Sequence, residues 1–150
     1  MEIIVNEKRL LINVSMRKIV ELTKKNKGNN FKDLFFQKMN DVDFEFLANL
    51  IQSCYVKEDS SYDFGGDINK VYDFMQEYAS IEDNDFEKLY KEFAEEMNVK
   101  SFFGKKMSAE ELTTELENPL NGIDINQMVR DSAQSVMKEA VVEEFKGYKG

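Results

Sequence analysis

The residues of this chain that could do chemistry are mostly carboxylates. The sequence has 29 Asp and Glu residues, a single cysteine, Cys54, and no histidine. Without histidine the chain has neither the commonest general base nor the commonest transition-metal ligand. Ser-His-Asp and Cys-His arrangements and His-containing zinc sites are therefore excluded. We expect Cys54 to be a small buried apolar residue on a helix.

The acidic clusters lack the spacing of a calcium site or of an acid–base pair. An EF-hand loop needs carboxylates at positions one, three and five, glycine at six and glutamate at twelve. Neither residues 63–67 nor residues 83–86 keep that order. Glu95 and Glu96 are adjacent, so on a helix they point about 100° apart and cannot converge on one bond. Helix caps and solvated loops are the expected roles of these acids.

The glycine-containing loops do not have the pattern of a phosphate-binding loop. A Walker motif needs Gly-Lys-Ser/Thr after four spacer residues. Gly65-Gly66 lies between Asp63 and Asp67, which would repel phosphate, and no Ser or Thr follows Gly104-Lys105-Lys106. The sequence therefore predicts no catalytic residues, no cofactor and no metal, and we expect the chain not to be an enzyme.

The composition indicates an acidic globular protein. Of its 150 residues 42% are hydrophobic and 33% charged, and the net charge is −9. Residues 1–40 hold nine Lys and Arg against four Asp and Glu, whereas residues 41–99 hold four against sixteen. An acidic majority argues against a nucleic-acid partner. The lack of an 18-residue apolar run argues against a membrane span, and the lone cysteine favours the cytosol.

Two short runs near the amino terminus predict a β-hairpin. Residues 2–5 and 10–14 are rich in Ile, Leu and Val, with Asn6-Glu7-Lys8-Arg9 as a four-residue loop. An isolated hairpin is marginal in water, so this one must pack on helices or pair with another chain. Its outer edge is a candidate surface for strand addition.

Four or five helices should follow the hairpin. Ser15 is the expected N-cap of the first and Gly28 its stop, and either Asp41 or Asp43 caps a strongly apolar core helix. The predicted apolar face of the first helix is Met16, Ile19 and Val20. That of the aromatic segment after it is Phe31, Leu34, Phe35 and Met39. That of the core helix is Phe44, Leu47, Ala48, Ile51 and Tyr55, broadened by Phe46 and Leu50.

Two amphipathic helices then follow the loop of residues 57–67. Asp67 caps the first, and Asn84 with Glu87 forms a capping-box pattern at the second. Joined by a short loop, they should pack as an antiparallel pair. The predicted apolar face of the first of these helices is Ile68, Val71, Tyr72, Met75, Tyr78 and Ala79. That of the second is Phe86, Leu89, Tyr90, Phe93, Ala94 and Met97.

The pattern changes after Val99. Residues 102–106 have the composition of a connector, and Ser108 with Glu111 begins a weak helix that Pro119 ends. A closing helix over residues 125–145 carries an apolar stripe about five turns long. Its members are Ile125, Met128, Val129, Ala133, Val136, Met137, Ala140, Val141 and Phe145. This helix either docks on the preceding helices or projects towards a partner or another copy.

Together these patterns predict a mainly α fold with a small N-terminal β-hairpin (α+β), a helical domain followed by a C-terminal amphipathic helix. Residues 1–99 form the hairpin plus the helical domain. Residues 100–150 form a C-terminal helical extension, packed on the same domain or on another copy. The interaction candidates are Ile4 and Leu11 in the hairpin and Met128, Val129, Val136, Met137 and Val141 in the closing helix.

The order of these elements resembles a known family. A hairpin of the EIIVNEKRLLINV kind followed directly by a helix of the MRKIVELTKK kind is similar to the tail assembly chaperones of long-tailed phages of Gram-positive hosts. The apolar helix FEFLANLIQSCYV and the tyrosine-bearing helix pair continue the likeness over residues 1–99.

This resemblance implies a non-enzymatic protein that binds the tape measure protein and keeps it soluble. Such a protein helps recruit tail-tube subunits and forms a homo-oligomer. It acts in the host bacterial cytoplasm and is absent from the mature virion.

Two other interpretations fit the composition. One is an acidic DNA-mimic inhibitor of a host nucleic-acid enzyme, which would display carboxylates at phosphate-like spacing and bind in a salt-sensitive way. Its candidate acids are Asp59, Asp63, Asp67, Asp73, Glu77, Glu82, Asp83 and Asp85. The other is a structural or adaptor subunit of a phage particle.

Overall fold

A computed structural model describes residues 1–117 and has a mainly helical fold with an N-terminal antiparallel β-hairpin. This confirms the predicted α+β class. The strands are β1 (Glu2–Val5) and β2 (Lys8–Leu11), and the helices are α1 (Met16–Lys25), α2 (Phe31–Asp41), α3 (Phe44–Cys54), α4 (Ile68–Ala79), α5 (Phe86–Val99) and α6 (Ala109–Glu117). A short 3-10 turn, Lys57–Asp59, follows α3.

The hairpin turn is tighter than predicted. Val5 pairs with Lys8, so the loop is only Asn6-Glu7, and the expected four-residue loop is wrong. Both loop residues have positive φ, 51° and 69°, which is the geometry of a two-residue type I′ turn. Asparagine tolerates that conformation, but glutamate rarely adopts it. The sequence pattern therefore gave no sign of the turn.

The inner face of the hairpin belongs to the core. Ile3, Val5 and Leu10 are buried, and Ile12 extends the pairing through an isolated bridge to Tyr55. The hairpin thus obtains its stability from the helices, as expected for a two-stranded sheet.

Side-chain caps begin most helices where the sequence predicted them. The carboxylate of Asp43 accepts from the Phe46 N–H at 2.9 Å, so Asp43 and not Asp41 caps α3. At α6, Ser108 and Glu111 accept from each other's N–H groups, which completes a capping box. At α5 the prediction was wrong by one residue, because Asp85 and not Asn84 accepts from the Lys88 N–H. The caps at Ser15 and Asp67 are confirmed.

Three helices end at left-handed residues that are not glycine. Lys27 follows α1 with φ 57°, and the N–H of Gly28 reaches back to the Thr23 carbonyl at 2.9 Å. Val42 after α2 (φ 49°) and Ser101 after α5 (φ 64°) lie in the same hydrogen-bonding pattern, which is that of a Schellman motif. Gly28 follows the left-handed position and does not occupy it, so its predicted role as the stop belongs to Lys27.

Helix α3 is the core helix, as predicted. Leu47, Ala48 and Ile51 are 0% exposed, whereas Phe44, assigned to the same face, is 50% exposed. The buried residues of α3 are Phe46, Leu47, Ala48, Leu50, Ile51 and Cys54. All four residues assigned to the face of α2 are buried, as are five of the six assigned to α5.

Other face assignments need correction. Helix α1 buries Ile19 and Leu22, but Met16 and Val20, predicted to face inward, are exposed. Helix α4 buries Val71, Met75 and Tyr78 together with Phe74, which the pattern missed; its assigned residues Ile68, Tyr72 and Ala79 are only partly buried.

Helix α4 packs mainly on α3, and a hydrogen bond from the Tyr78 hydroxyl to Glu92 (2.9 Å) joins α4 to α5. The expectation of an α4–α5 pair therefore missed the principal neighbour of α4.

The core continues beyond Val99. Phe103, Met107 and Leu112 are buried in the same apolar cluster as the preceding helices. The Phe103 ring lies 5.0 Å from the Phe36 centroid and 5.6 Å from that of Phe35. Of the predicted connector of residues 102–106, Phe103 is thus part of the core packing, whereas residues 104–106 are exposed. The closing helix predicted for residues 125–145 lies outside the described residues.

Candidate interaction surfaces

The one thiol of the chain is not placed for chemistry. Cys54 is 3% exposed on α3, and burial raises the pKa of its thiol to about 11. The thiol is therefore protonated at neutral pH and screened from reagents, which confirms the predicted core role. Within residues 1–117 no three His, Cys, Asp or Glu side chains converge as metal ligands, and no helix there is long and apolar enough to cross a membrane.

Several acids proposed for a DNA-mimic surface are engaged in local structure. Asp67 and Asp85 cap helices, and Asp63 pairs with Lys57 at 3.4 Å. Glu77 accepts from the Asn6 amide at 2.9 Å and lies 3.5 Å from Lys8. The hydrogen bond from Asn6, helped by Lys8, lowers the pKa of Glu77 despite some desolvation. These carboxylates thus have structural partners of their own.

The outer edge of β2 is covered by the chain itself. The Ser61 N–H donates to the Arg9 carbonyl (2.7 Å), and the Val56 N–H donates to the Leu11 carbonyl (2.8 Å). The N–H groups of Arg9 and Leu11 donate in turn to the hydroxyls of Ser61 and Ser60 at 2.9 and 3.0 Å. Strand addition is therefore blocked on this side of the hairpin.

The outer edge of β1 is open. Ile4 pairs with Arg9, and Glu2 pairs with Leu11. Because Arg9 and Leu11 direct their backbone groups away from β1, the alternation of an antiparallel ladder makes Ile4 and Glu2 direct theirs away from β2. Among residues 1–117 these groups have no backbone partner. The Ile4 side chain is 56% exposed, so this edge presents both free hydrogen-bonding groups and an apolar side chain.

The two hairpin candidates therefore differ. Ile4 lies on the open edge and is exposed. Leu11 is half-buried, and its strand edge is occupied. The candidates of the closing helix, Met128, Val129, Val136, Met137 and Val141, lie outside the described residues.

The outer surface of α1 combines exposed apolar side chains with positive charge. Met16 is 64% exposed and Val20 is 44% exposed. Residues 16–27 contain five Lys and Arg and one acid, Glu21. The nearest approach of a cation to that acid is 4.0 Å, from Lys18, so the surface stays basic overall.

A shallow groove of about 320 Å³ adjoins Val20, and Met16 lies about one helical turn before Val20. Its lining is Ile19, Val20, Thr23 and Lys24 of α1 and residues 28–31. A Cβ on Gly28 would lie 3.3 Å from the Cβ of Leu34, so glycine lets α1 and α2 approach closely here. We call Met16, Val20, Lys24 and this groove the α1 surface.

Sequence reasoning missed the α1 surface because it placed Met16 and Val20 on the buried side. The signal that would have corrected this is Leu22, which lies three residues after Ile19. Ile19 and Leu22 define the buried face of α1. Val20 lies about 100° around the helix from Ile19, on the side of Lys24.

A second shallow cavity is acidic. Glu92, Glu95, Glu96 and Val99 of α5 line it with Met1 and Glu2. The terminal ammonium of Met1 donates to the Ile12 carbonyl at 2.9 Å and lies 3.8 Å from Glu96. Positive charge on α1 and negative charge on α5 are thus separate features of this molecule.

No family model, curated protein or solved structure matches this chain.

Proposed function

We propose that this chain is a non-enzymatic phage tail assembly chaperone that binds the tape measure protein and helps recruit tail-tube subunits. Its family resemblance rests on the order of elements over residues 1–99. The observation that carries the proposal is the α1 surface, where Met16 and Val20 are exposed beside a groove and several cations. Isolated exposed apolar residues are ordinary, but a cluster of them along a groove is typical of a binding surface.

The chemistry of the α1 surface suits a helical client. An amphipathic helix presents apolar side chains at three- and four-residue steps, and a groove between helices accepts such a row. Val20 and the groove would receive the apolar row, while Lys24 and its neighbours would meet acids beside it. Methionine adapts to different apolar shapes, so Met16 suits a long client with many similar segments. The net charge of −9 would keep the loaded complex in solution.

Coating a long client requires several copies side by side. The open edge of β1, with Ile4 exposed, offers strand addition as one contact between copies. The closing-helix candidates Met128, Val129, Val136, Met137 and Val141 stay predicted interaction residues. In this proposal the complex forms in the host cytoplasm, and the chaperone leaves before the virion is complete.

Co-expression with the tape measure protein of the same phage tests the proposal. We expect the client to remain soluble and to co-purify with the chain. Val20→Asp places a charge where an apolar contact is proposed and should return the client to the pellet. Val99→Asp is the matched control, because it places the same charge on another exposed apolar residue, at the end of α5. An insoluble client beside a folded wild-type chain would refute the chaperone role.

A further inference from the structure

The described chain ends beside α2, about one helix length from the groove of the α1 surface. Glu115 of α6 lies 3.6 Å from Lys32, and Lys32 directly follows Phe31, which lines the groove. Leu116 and Glu117 lie beside Met39, at the other end of α2. Residues 118–124 then lead to the amphipathic segment, and seven extended residues reach up to about 23 Å. An 11-residue helix such as α2 is only about 16 Å long, so the segment can reach the groove.

The α1 surface and the segment carry opposite charges. Residues 16–27 hold five Lys and Arg against one acid, and residues 125–145 hold four Asp and Glu against two Lys and Arg. The net positive charge lies on the surface where Met16 and Val20 are exposed. The net negative charge belongs to the segment with the long predicted apolar stripe. Two complementary amphipathic surfaces thus occur within one chain.

We propose that residues 125–145 occupy the groove of the α1 surface within the same molecule. The apolar stripe around Val136 and Met137 would cover Val20 and the groove, and acids of the segment would lie near Lys24. Tethering by a short linker gives an effective concentration on the order of millimolar, so even a modest contact forms in the isolated chain. The inference concerns the free protein and does not depend on which client it binds. A ligand of the α1 surface would have to displace this segment.

Paramagnetic labelling of the full chain tests the contact. A nitroxide at Ser135→Cys, beside the predicted stripe, can be attached selectively because the Cys54 thiol is buried and its pKa is raised to about 11. We expect the amide signals of Met16–Lys25 to lose most of their intensity. Signals of Asn69 and Asp73, on the exposed side of α4, should be retained.

A mixed sample separates contacts within a chain from contacts between chains. Spin-labelled chain without isotope is added to isotope-labelled chain without nitroxide, and the α1 signals should then keep their intensity. Clear loss of the α1 signals in the mixed sample would show a second copy in the groove and overturn the intramolecular contact. Unaffected α1 signals in the chain that carries both the nitroxide and the isotope would overturn the intramolecular contact as well.

Two variants locate the contact. Val20→Asp should restore the α1 signals of the labelled chain, because a buried charge opposes apolar packing. Val99→Asp, an equally charged change at the end of α5, should leave the signal loss intact. Both side chains are exposed, so the amide spectrum itself reports whether each variant is folded. Signal loss that survives Val20→Asp would place the segment elsewhere and overturn the proposal.

Discussion

Helices α1 and α3 have similar lengths, ten and eleven residues, but they use their apolar residues differently. Helix α3 buries six residues and packs on α4 and α1. Helix α1 buries only Ile19 and Leu22 and leaves Met16 and Val20 in solvent. The periodicity of apolar residues indicates that a face avoids water, but it does not indicate what covers that face. In α3 the cover is the core, and in α1 we propose that it is a second helix.

The largest expected effect on the free energy of unfolding comes from truncating a core residue of α3. Leu47 is 0% exposed at the centre of α3, so Leu47→Ala should lower the free energy of unfolding by about 2–5 kcal/mol. Val20→Ala, the matched truncation in α1, should lower it by about 1 kcal/mol or less, because only the proposed contact with residues 125–145 would cover that side chain. Urea denaturation followed by circular dichroism measures both. Equal losses in the two variants would show that α1 contributes to the core as α3 does.

A smaller effect is expected where α5 is joined to the start of α3. The Tyr90 hydroxyl donates to the Asp43 carbonyl at 2.6 Å. That carbonyl also accepts the helical bond from Leu47 at 3.3 Å, so Tyr90→Phe leaves it with a partner. We expect Tyr90→Phe to cost about 1 kcal/mol at neutral pH.

The same tyrosine should make the protein sensitive to alkali. Burial, with Asp43 and Asp41 nearby, raises the pKa of Tyr90 above its usual value. Its contribution is fully present below the unfolded pKa of about 10 and is lost as the pH rises towards the folded pKa. Unfolding midpoints measured between about pH 8 and 11 should fall less steeply for Tyr90→Phe than for wild type or the control Tyr72→Phe. Identical slopes would contradict this assignment.

The comparison also predicts a stabilising change next to α1. Lys27 is exposed and left-handed, with φ 57°, a conformation that costs a non-glycine residue roughly 1 kcal/mol. Lys27→Gly should therefore raise the free energy of unfolding by about 0.5–1 kcal/mol. Glu21→Gly in the interior of the same helix should lower it by about 1 kcal/mol. Thermal unfolding compares the two, and destabilisation by both would refute the strain at Lys27.

These left-handed residues show where sequence reasoning fails. The class of fold, the core helix and the caps at Ser15, Asp67 and Ser108 followed from apolar periodicity and from side chains that accept backbone N–H groups. The turn at Asn6-Glu7 and the helix ends at Lys27, Val42 and Ser101 did not. There, residues other than glycine hold the left-handed conformation of a turn or of a helix end, so no glycine marks the position in the sequence.

The candidate surface was only partly predictable for a related reason. Ile4 and Leu11 were selected together, but the coverage of β2 depends on hydrogen bonds from residues 56–61, almost fifty positions away in the sequence. No local pattern contains that information. For Val20 the local pattern did carry a sign, because Ile19 and Leu22 mark the buried face of α1 and leave Val20 outside it.

Binding at the α1 surface is the central claim, and direct titration tests it. A fluorescent peptide carrying one amphipathic helix of the tape measure protein would be titrated with wild-type chain, Val20→Asp and Val99→Asp, with anisotropy as the readout. Val20 and Val99 are both exposed in the described residues, and the amide spectrum of each variant shows whether it is folded. We predict that Val20→Asp weakens binding by about tenfold or more, roughly 1.4 kcal/mol, and that Val99→Asp leaves it unchanged. Equal affinity in all three proteins would contradict the assignment of α1 as the client-binding surface.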